Sequence, residues 1–191
     1  MQKLIDYINS ISPITEHTVK EVGALFTFRQ IAKNDIFIDA GVIAKKIGFL
    51  EEGVIRAYFR NKRGQEYNKH FFKAPCFIGG YSSLVTGKPN QIIQQAMTDC
   101  KLREANSSKL IALYDKHQDL ERMARILSER YFVQKEQREV EIVLLNASER
   151  YLIFKKEFSD LEQIIPQYHI ASYLGITPTQ LSRVRQKLSK E

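Results

Sequence analysis

The sequence predicts an α+β fold: an N-terminal antiparallel β-roll, one long helix, and a C-terminal helix-turn-helix. Three observations carry this. From Phe26 to about Leu102 the chain is rich in β-branched and aromatic residues, broken by Gly, Asn-Asp and Lys-Arg-Gly turns. That texture belongs to short antiparallel strands folded into a sandwich or roll. From Asp119, nearly thirty residues run without Gly or Pro, as a long helix requires. Near the end, "QYHIASYLGITPTQLSRVRQKL" breaks one helix at Gly175 and restarts another at Pro178.

Composition sets the frame. The 191 residues are 43% hydrophobic and 27% charged, with no low-complexity tract, as in a globular protein of one large or two small domains. The predicted divisions are 1–116 for the roll and its flanking helices, 117–145 for the long helix, and 146–191 for the helix-turn-helix. A formal charge of +7 permits nucleic acid or an anionic ligand as partner. The opening "MQKLIDYINSISPITEHTVKEV" is polar and amphipathic, which argues against a signal peptide, and no run approaches the ~18 apolar residues of a membrane span. A cytoplasmic protein with no membrane contact is expected. Cys76 and Cys100 lie far apart and match no metal spacing, so two free thiols in a reducing compartment are expected.

Along residues 1–25, Leu4, Ile5 and Ile8 recur at helical spacing, and Thr15 is placed to cap a second short helix. In the β region the best hairpin is "VIRAYFRNKRGQEYNKHFF", with Lys62, Arg63 and Gly64 at its tip. "SSKLIALYDKH" reads as a short helix. On the long helix, Leu120, Met123, Ala124, Leu127 and Tyr131 form one apolar stripe. Polar "QKEQRE" interrupts the stripe before Val140, Val143 and Leu144 resume it. Such a stripe needs a partner, and a second copy of the chain would serve. The first five residues are the expected dimer interface, with pairing strongest in the first half. The alternative is that the stripe covers the β region.

The C-terminal turn fits two helices that cross steeply and touch. The contact position must be small, and Ala171 is. Gly175 supplies positive φ at little steric cost. Ile170, Leu174, Ile176, Leu181 and Val184 fall where the packing needs apolar residues. Thr177 suits an N-cap and Pro178 the first turn of a helix over about 178–189. The other faces of that helix carry Thr179, Gln180, Ser182, Arg183, Arg185 and Lys187. These side chains can meet phosphate oxygens and base edges: Gln pairs with adenine, and Arg bridges O6 and N7 of guanine. The competing reading is an amphipathic helix hairpin with a solvated polar face.

This order of elements resembles the Crp/Fnr superfamily of bacterial transcription regulators over nearly the whole chain. "DAGVIAKKIGFLEEGVIRAYF" is similar to the family's glycines twelve residues apart, here Gly41 and Gly53, with Arg56 following. "APCFIGGYSSL" resembles the segment before the nucleotide's phosphate-binding turn. "ASERYLIFKKEFSDLEQIIPQYHIASYLGITPTQLSRVRQKL" is especially similar to members from Bacteroidetes-type bacteria. The resemblance implies a cyclic-nucleotide-binding-like jelly roll, a dimerisation helix and a winged-type helix-turn-helix. It implies a homodimer on double-stranded DNA, with half-sites ~34 Å apart in a near-palindromic site, and RNA polymerase as a further partner. Arg183 is then the base-contacting residue, with Thr179 and Gln180 beside it. Thr177, Ser182, Arg185 and Lys187 hold phosphates, and Tyr168 is a further backbone contact.

The effector is less legible. Nucleotide-binding members carry Gly-Glu at the phosphate cassette and an Arg-Ser pair further on. The Arg neutralises the cyclic phosphate and the Glu accepts the ribose 2′-hydroxyl. In this sequence Gly79 keeps its place, Gly80 stands at the Glu position, and the Arg-Ser pair falls on Asn90 and Gln91. The pocket, if kept, is formed by Gly79, Gly80, Tyr81, Ser82, Asn90 and Gln91. A buried anion without its Arg loses a charge-assisted bond worth ~1.5–3 kcal/mol, so tight cAMP binding is predicted to be absent and the effector, if any, is another small molecule. No cofactor is evident. An iron–sulfur cluster needs four cysteines, and His70 and Cys76 read more simply as strand-end residues than as haem ligands. His17, His117 and His169 lie apart in sequence and present no metal constellation. No G-x-S-x-G, phosphate-loop or H-E-x-x-H pattern occurs, and Glu51-Glu52 face opposite sides of a strand, so an enzyme is not expected. The runner-up function is a ligand-binding or interaction module that has lost DNA recognition.

Overall fold

A computed structural model describes residues 1–189. The chain divides into two compact units: Met1–Ala57 with Phe71–Tyr131, and Tyr58–His70 with the residues from Phe132 onward.

The first unit opens with two helices, α1 (Gln2–Ile11) and α2 (Glu16–Leu25). Thr15 caps α2, its hydroxyl accepting from the Thr18 amide, because the first turn of a helix leaves N–H groups without partners. Eight strands follow: β1 (Thr27–Ile31), β2 (Ile36–Ile38), β3 (Lys46–Glu52), β4 (Val54–Arg60), β5 (Glu66–Lys73), β6 (Cys76–Gly79), β7 (Ile93–Ala96) and β8 (Cys100–Asn106). They form two four-stranded sheets, ordered β1-β8-β3-β6 and β2-β7-β4-β5. The pairs β1–β8, β2–β7, β3–β6 and β3–β8 are antiparallel; Phe49 of β3, for example, stands opposite Arg103 on one side and Phe77 on the other. A short helix, α3 (Tyr81–Thr86), interrupts the strands between β6 and β7.

Two apolar clusters hold this unit. Between the sheets, Ile31, Leu50, Ile55, Ile78, Ala96, Cys100 and Leu102 interdigitate, the inward residues of alternating strands. The second cluster joins Leu4 and Ile8 of α1, Val22 of α2, Phe49 and Phe77 of the sheet, and Leu110 of α4 (Ser107–Ile111) to Leu120 and Met123. These last two open α5, one continuous helix over Gln118–Leu144. Gly53 shows why one glycine is required. Its φ is +101°, and a Cβ there would come within 2.6 Å of Cys100 Sγ and 2.7 Å of Asp99 O.

In the second unit, Asn146 caps α6 (Ala147–Glu157) through a capping box with Glu149, which separates it from the end of the long helix at Leu144. The short α7 (Leu161–Ile164) leads to α8 (Gln167–Leu174) and α9 (Pro178–Leu188). Phe154, Phe158 and Tyr173 pack with ring centroids 5.4–5.9 Å apart, and Tyr151, Leu161, Ile165, Ile170, Ala171, Leu174 and Leu181 are buried as well. Arg138 lies over the Tyr173 ring at 4.1 Å and donates to the Tyr173 carbonyl at 2.5 Å, a cation held on an aromatic face by a hydrogen bond. Among the described residues no strand follows β8, so the strands of the expected winged unit are not among them.

Candidate functional site

The α8–α9 pair is built as the sequence requires. Ala171 is fully buried at the contact. Gly175 ends α8 in the left-handed region, φ +69°, its N–H returning to the Ala171 and Ser172 carbonyls. Thr177 caps α9, its hydroxyl accepting from the Gln180 amide while Gln180 Oε1 accepts from the Thr177 amide. Pro178 occupies the first turn, where no N–H is needed. Leu181 is the fully buried anchor of α9.

Around that anchor, Thr177, Thr179, Gln180, Ser182, Arg183 and Lys187 are all exposed. The exposed face therefore presents two full cations and several hydroxyl and amide groups along about three turns. Two predicted contacts have further duties. Gln180 spends its side-chain oxygen on the cap, leaving its amide nitrogen as the group available to a base. Arg185 is half-buried, with Nε 3.9 Å from Glu162 Oε1, and Glu162 also accepts from the Tyr151 hydroxyl. Glu162 is thus an orienting residue that sequence spacing did not reveal. Tyr168 is exposed at the start of α8, its ring 4.1 Å from that of His169, whereas His169 itself is buried.

The ligand cassette differs from a phosphate cradle. Asn90, at the expected Arg position, is buried. Its Nδ2 donates to the Asp39 and Ile92 carbonyls at 2.9 and 2.6 Å, and its backbone bonds Val42 and Gly41. At the Glu position, a Cβ on Gly80 would meet Ile38 Cδ1 at 2.8 Å and Asn90 Oδ1 at 3.1 Å. Apolar and amide groups fill the space there. Ser83, rather than Ser82, is the buried hydroxyl, accepting from the Ala44 amide and donating to the Lys88 carbonyl. Tyr81 and Ser82 are exposed, as is Gln91. Gly79 O accepts from Gln94 Nε2 at 2.7 Å, and Gln94 Oε1 is buried without a hydrogen-bond partner. Arg56 is buried and donates through Nε and Nη2 to Gln95 Oε1. Burial pushes the Cys76 thiol up to about 12, which keeps it a thiol and a poor metal ligand.

Part of the predicted dimer stripe is covered within the chain itself. Leu120 and Met123 are buried in the chain's own core, Leu127 packs against it, and Tyr131 donates to the Phe77 carbonyl at 3.3 Å; Ala124 is half-buried. The α5 stripe covers this unit's core because the sheet and α1 already offer an apolar face. Exposed large apolar residues on α5 lie in its second half instead, at Phe132, Val133, Val140, Ile142, Val143 and Leu144, between 51% and 80% exposed. At ~100° per residue, all but Ile142 fall within an arc of about 120°. No described helix is long and apolar enough to cross a membrane.

Residues 28–117 match the sequence family described as the cyclic nucleotide-binding domain. No curated protein matches the chain by sequence. Among solved structures, the c-di-GMP responsive global regulator CLP of Xanthomonas campestris is similar with a TM-score of 0.72, at 16% identity over 92% of each chain. FixK2 from Bradyrhizobium japonicum gives 0.76 at 17% identity, covering 86% of this chain and 85% of that one. The Thermus thermophilus catabolite activator protein gives 0.57 at 18% identity, over 92% and 84%. At these identities the likeness is one of fold.

Proposed function

We propose that the chain is a sequence-specific DNA-binding transcription regulator of the Crp/Fnr type, acting as a homodimer and modulated by a small molecule other than cAMP. The observation that carries the reading is the α8–α9 pair: a capped second helix, anchored by Leu181, with Thr179, Ser182, Arg183 and Lys187 exposed around it. In this reading α8–α9 is a helix-turn-helix and α9 enters the major groove. Arg183 reads a base edge, and Tyr168, Thr177, Ser182, Arg185 and Lys187 meet phosphates. Residues 1–116 form the sensing roll, 117–145 the dimerisation helix and 146–191 the DNA-binding domain. The reading places the protein in the cytoplasm, with RNA polymerase as a further partner and no catalytic role.

Two similar structures support regulation by their own descriptions, as a global regulator and as a catabolite activator protein. Exclusion of cAMP rests on Asn90, locked by loop carbonyls where a phosphate would need an Arg. Dimerisation rests on the exposed apolar arc of the second half of α5. Comparing two substitutions tests the reading. Arg183→Ala is expected to cost ~1–3 kcal/mol of specific binding and to relax one base position, whereas Lys187→Ala weakens all sequences alike and lowers the salt slope by about one. Equal effects of both on every sequence would contradict it.

A further inference from the structure

We propose that His17, Glu21 and His117 form a binding site for a divalent transition-metal ion of the zinc type. Sequence spacing presents no metal set, but the fold of the first unit assembles one. His17 and Glu21 are four residues apart on α2 and so share a face. His117 immediately precedes α5 and is buried. His17 Nε2 lies 3.5 Å from Glu21 Oε1, and His117 Nε2 lies 3.2 Å from Glu21 Oε2. One ligand atom from each residue falls within 4.8 Å of the other two. Ligands held tetrahedrally at ~2.0–2.1 Å stand about 3.3–3.5 Å apart, so only the exposed His17 ring has to close.

The hydrogen bonds around Thr18 decide which nitrogen of His117 is presented. Asp119 accepts from the Thr15 and Leu120 amides at 2.7 and 2.9 Å, and both its oxygens lie within 3.0 Å of Thr18 Oγ1. A carboxylate only accepts, so the single Thr18 hydroxyl hydrogen points to Asp119. Thr18 Oγ1, 3.0 Å from His117 Nδ1, is therefore the acceptor there, and Nδ1 carries a hydrogen. Nε2 is then the nitrogen that faces Glu21 Oε2, 3.2 Å away, either with its lone pair or through a second hydrogen. With the lone pair, the two acceptors at this separation are complementary to a cation between them.

This is the layout of a ligating histidine: one nitrogen to the metal, the other fixed by an oxygen that is itself fixed. Thr18, fully buried, and Asp119 are the supporting groups. Two imidazoles and one carboxylate select zinc, cobalt, nickel or copper over magnesium and calcium, which prefer all-oxygen shells. The side chain of His17 is 73% exposed, which leaves an entry path and an open fourth position for water. A bound ion would tie α2 to the residue that opens α5.

The test uses the full chain, stripped with EDTA and titrated with Co²⁺ alone while visible d–d absorption is read; Zn²⁺ and then Mg²⁺ are added as competitors. One Co²⁺ per chain is expected, displaced by Zn²⁺ and not by Mg²⁺. His17→Ala and Glu21→Gln, both at the surface, should each weaken it at least ~10-fold with unchanged circular dichroism. Imidazole ¹⁵N spectra of the unsubstituted chain provide a reading that needs no variant: Zn²⁺ should shift Nε2 of His17 and His117 together. Absence of a saturable Co²⁺ spectrum, a spectrum that neither substitution moves, or Zn²⁺ shifts confined to other residues would overturn the proposal.

Discussion

The Ser172 hydroxyl stands between two backbone groups of β5, accepting from the Asn68 amide at 2.9 Å and donating to the Glu66 carbonyl at 3.0 Å. It continues the edge of a β-strand with a side chain from α8. Beside it, Asn68 Nδ2 donates to the His169 carbonyl and to His169 Nδ1, each at 3.2 Å. The β4–β5 hairpin end, residues 58–70, is thereby fastened to the first helix of the α8–α9 pair within one compact unit. Ser172→Ala removes two hydrogen bonds and should cost about 1–3 kcal/mol of stability by urea denaturation, with faster exchange of the Asn68 amide. An unchanged exchange rate would show that the hydroxyl does not hold the strand.

His70, in the same hairpin, sets a pH dependence. Burial, and then the charges of Lys69 and Arg138, pull its imidazole down to about 4. Between that value and the ordinary ~6.5 the unfolded chain binds a proton that the folded chain does not. Stability therefore falls as pH drops from about 6.5 towards 4, and the His70 contribution is absent above that window. Urea midpoints measured at pH 7.5 and 5 should converge in His70→Asn, provided that variant keeps the native circular dichroism. An equal drop in both proteins would assign the pH effect elsewhere.

The ligand cassette predicts silence towards cAMP. With Asn90 spent on the Asp39 and Ile92 carbonyls, nothing at that position answers a buried phosphate charge. Millimolar cAMP should leave the melting temperature unchanged, since a ligand that binds the native state raises it by mass action. Displacement of a fluorescent cAMP analogue with a micromolar constant would refute this.

The second half of α5 predicts a dimer. Val140→Glu together with Val143→Glu places charges in the exposed apolar arc without touching a buried residue. Sedimentation should then convert a dimer to a monomer, while Leu127→Glu, on the core-facing stripe, lowers stability instead. A dimer that survives the double substitution would place the interface elsewhere.

Much of this was legible in the sequence because local chemistry decided it. Thr15, Gly175, Thr177 and Pro178 act through their own backbone neighbours, so their roles follow from spacing alone. The partner of the α5 stripe was not legible: Leu120 and Met123 have the same period whether they meet a second copy or the sheet, and only the tertiary fold chooses. The same holds for His17 and His117, a hundred residues apart in sequence, which α2 and the start of α5 bring together. Ser172 and Glu162 escaped because a lone Ser or Glu on a helix carries no pattern, and their partners are a distant strand edge and the residues Tyr151 and Arg185.

The most direct test of the central claim is selection of random duplex DNA by the purified chain without added ligand, followed by sequencing, with Arg183→Ala in parallel. Enrichment of a near-palindrome whose half-sites lie about one helical turn, ~34 Å, apart is expected, with one position relaxed in the variant. Failure to enrich any sequence, with and without a panel of candidate effectors, would contradict it.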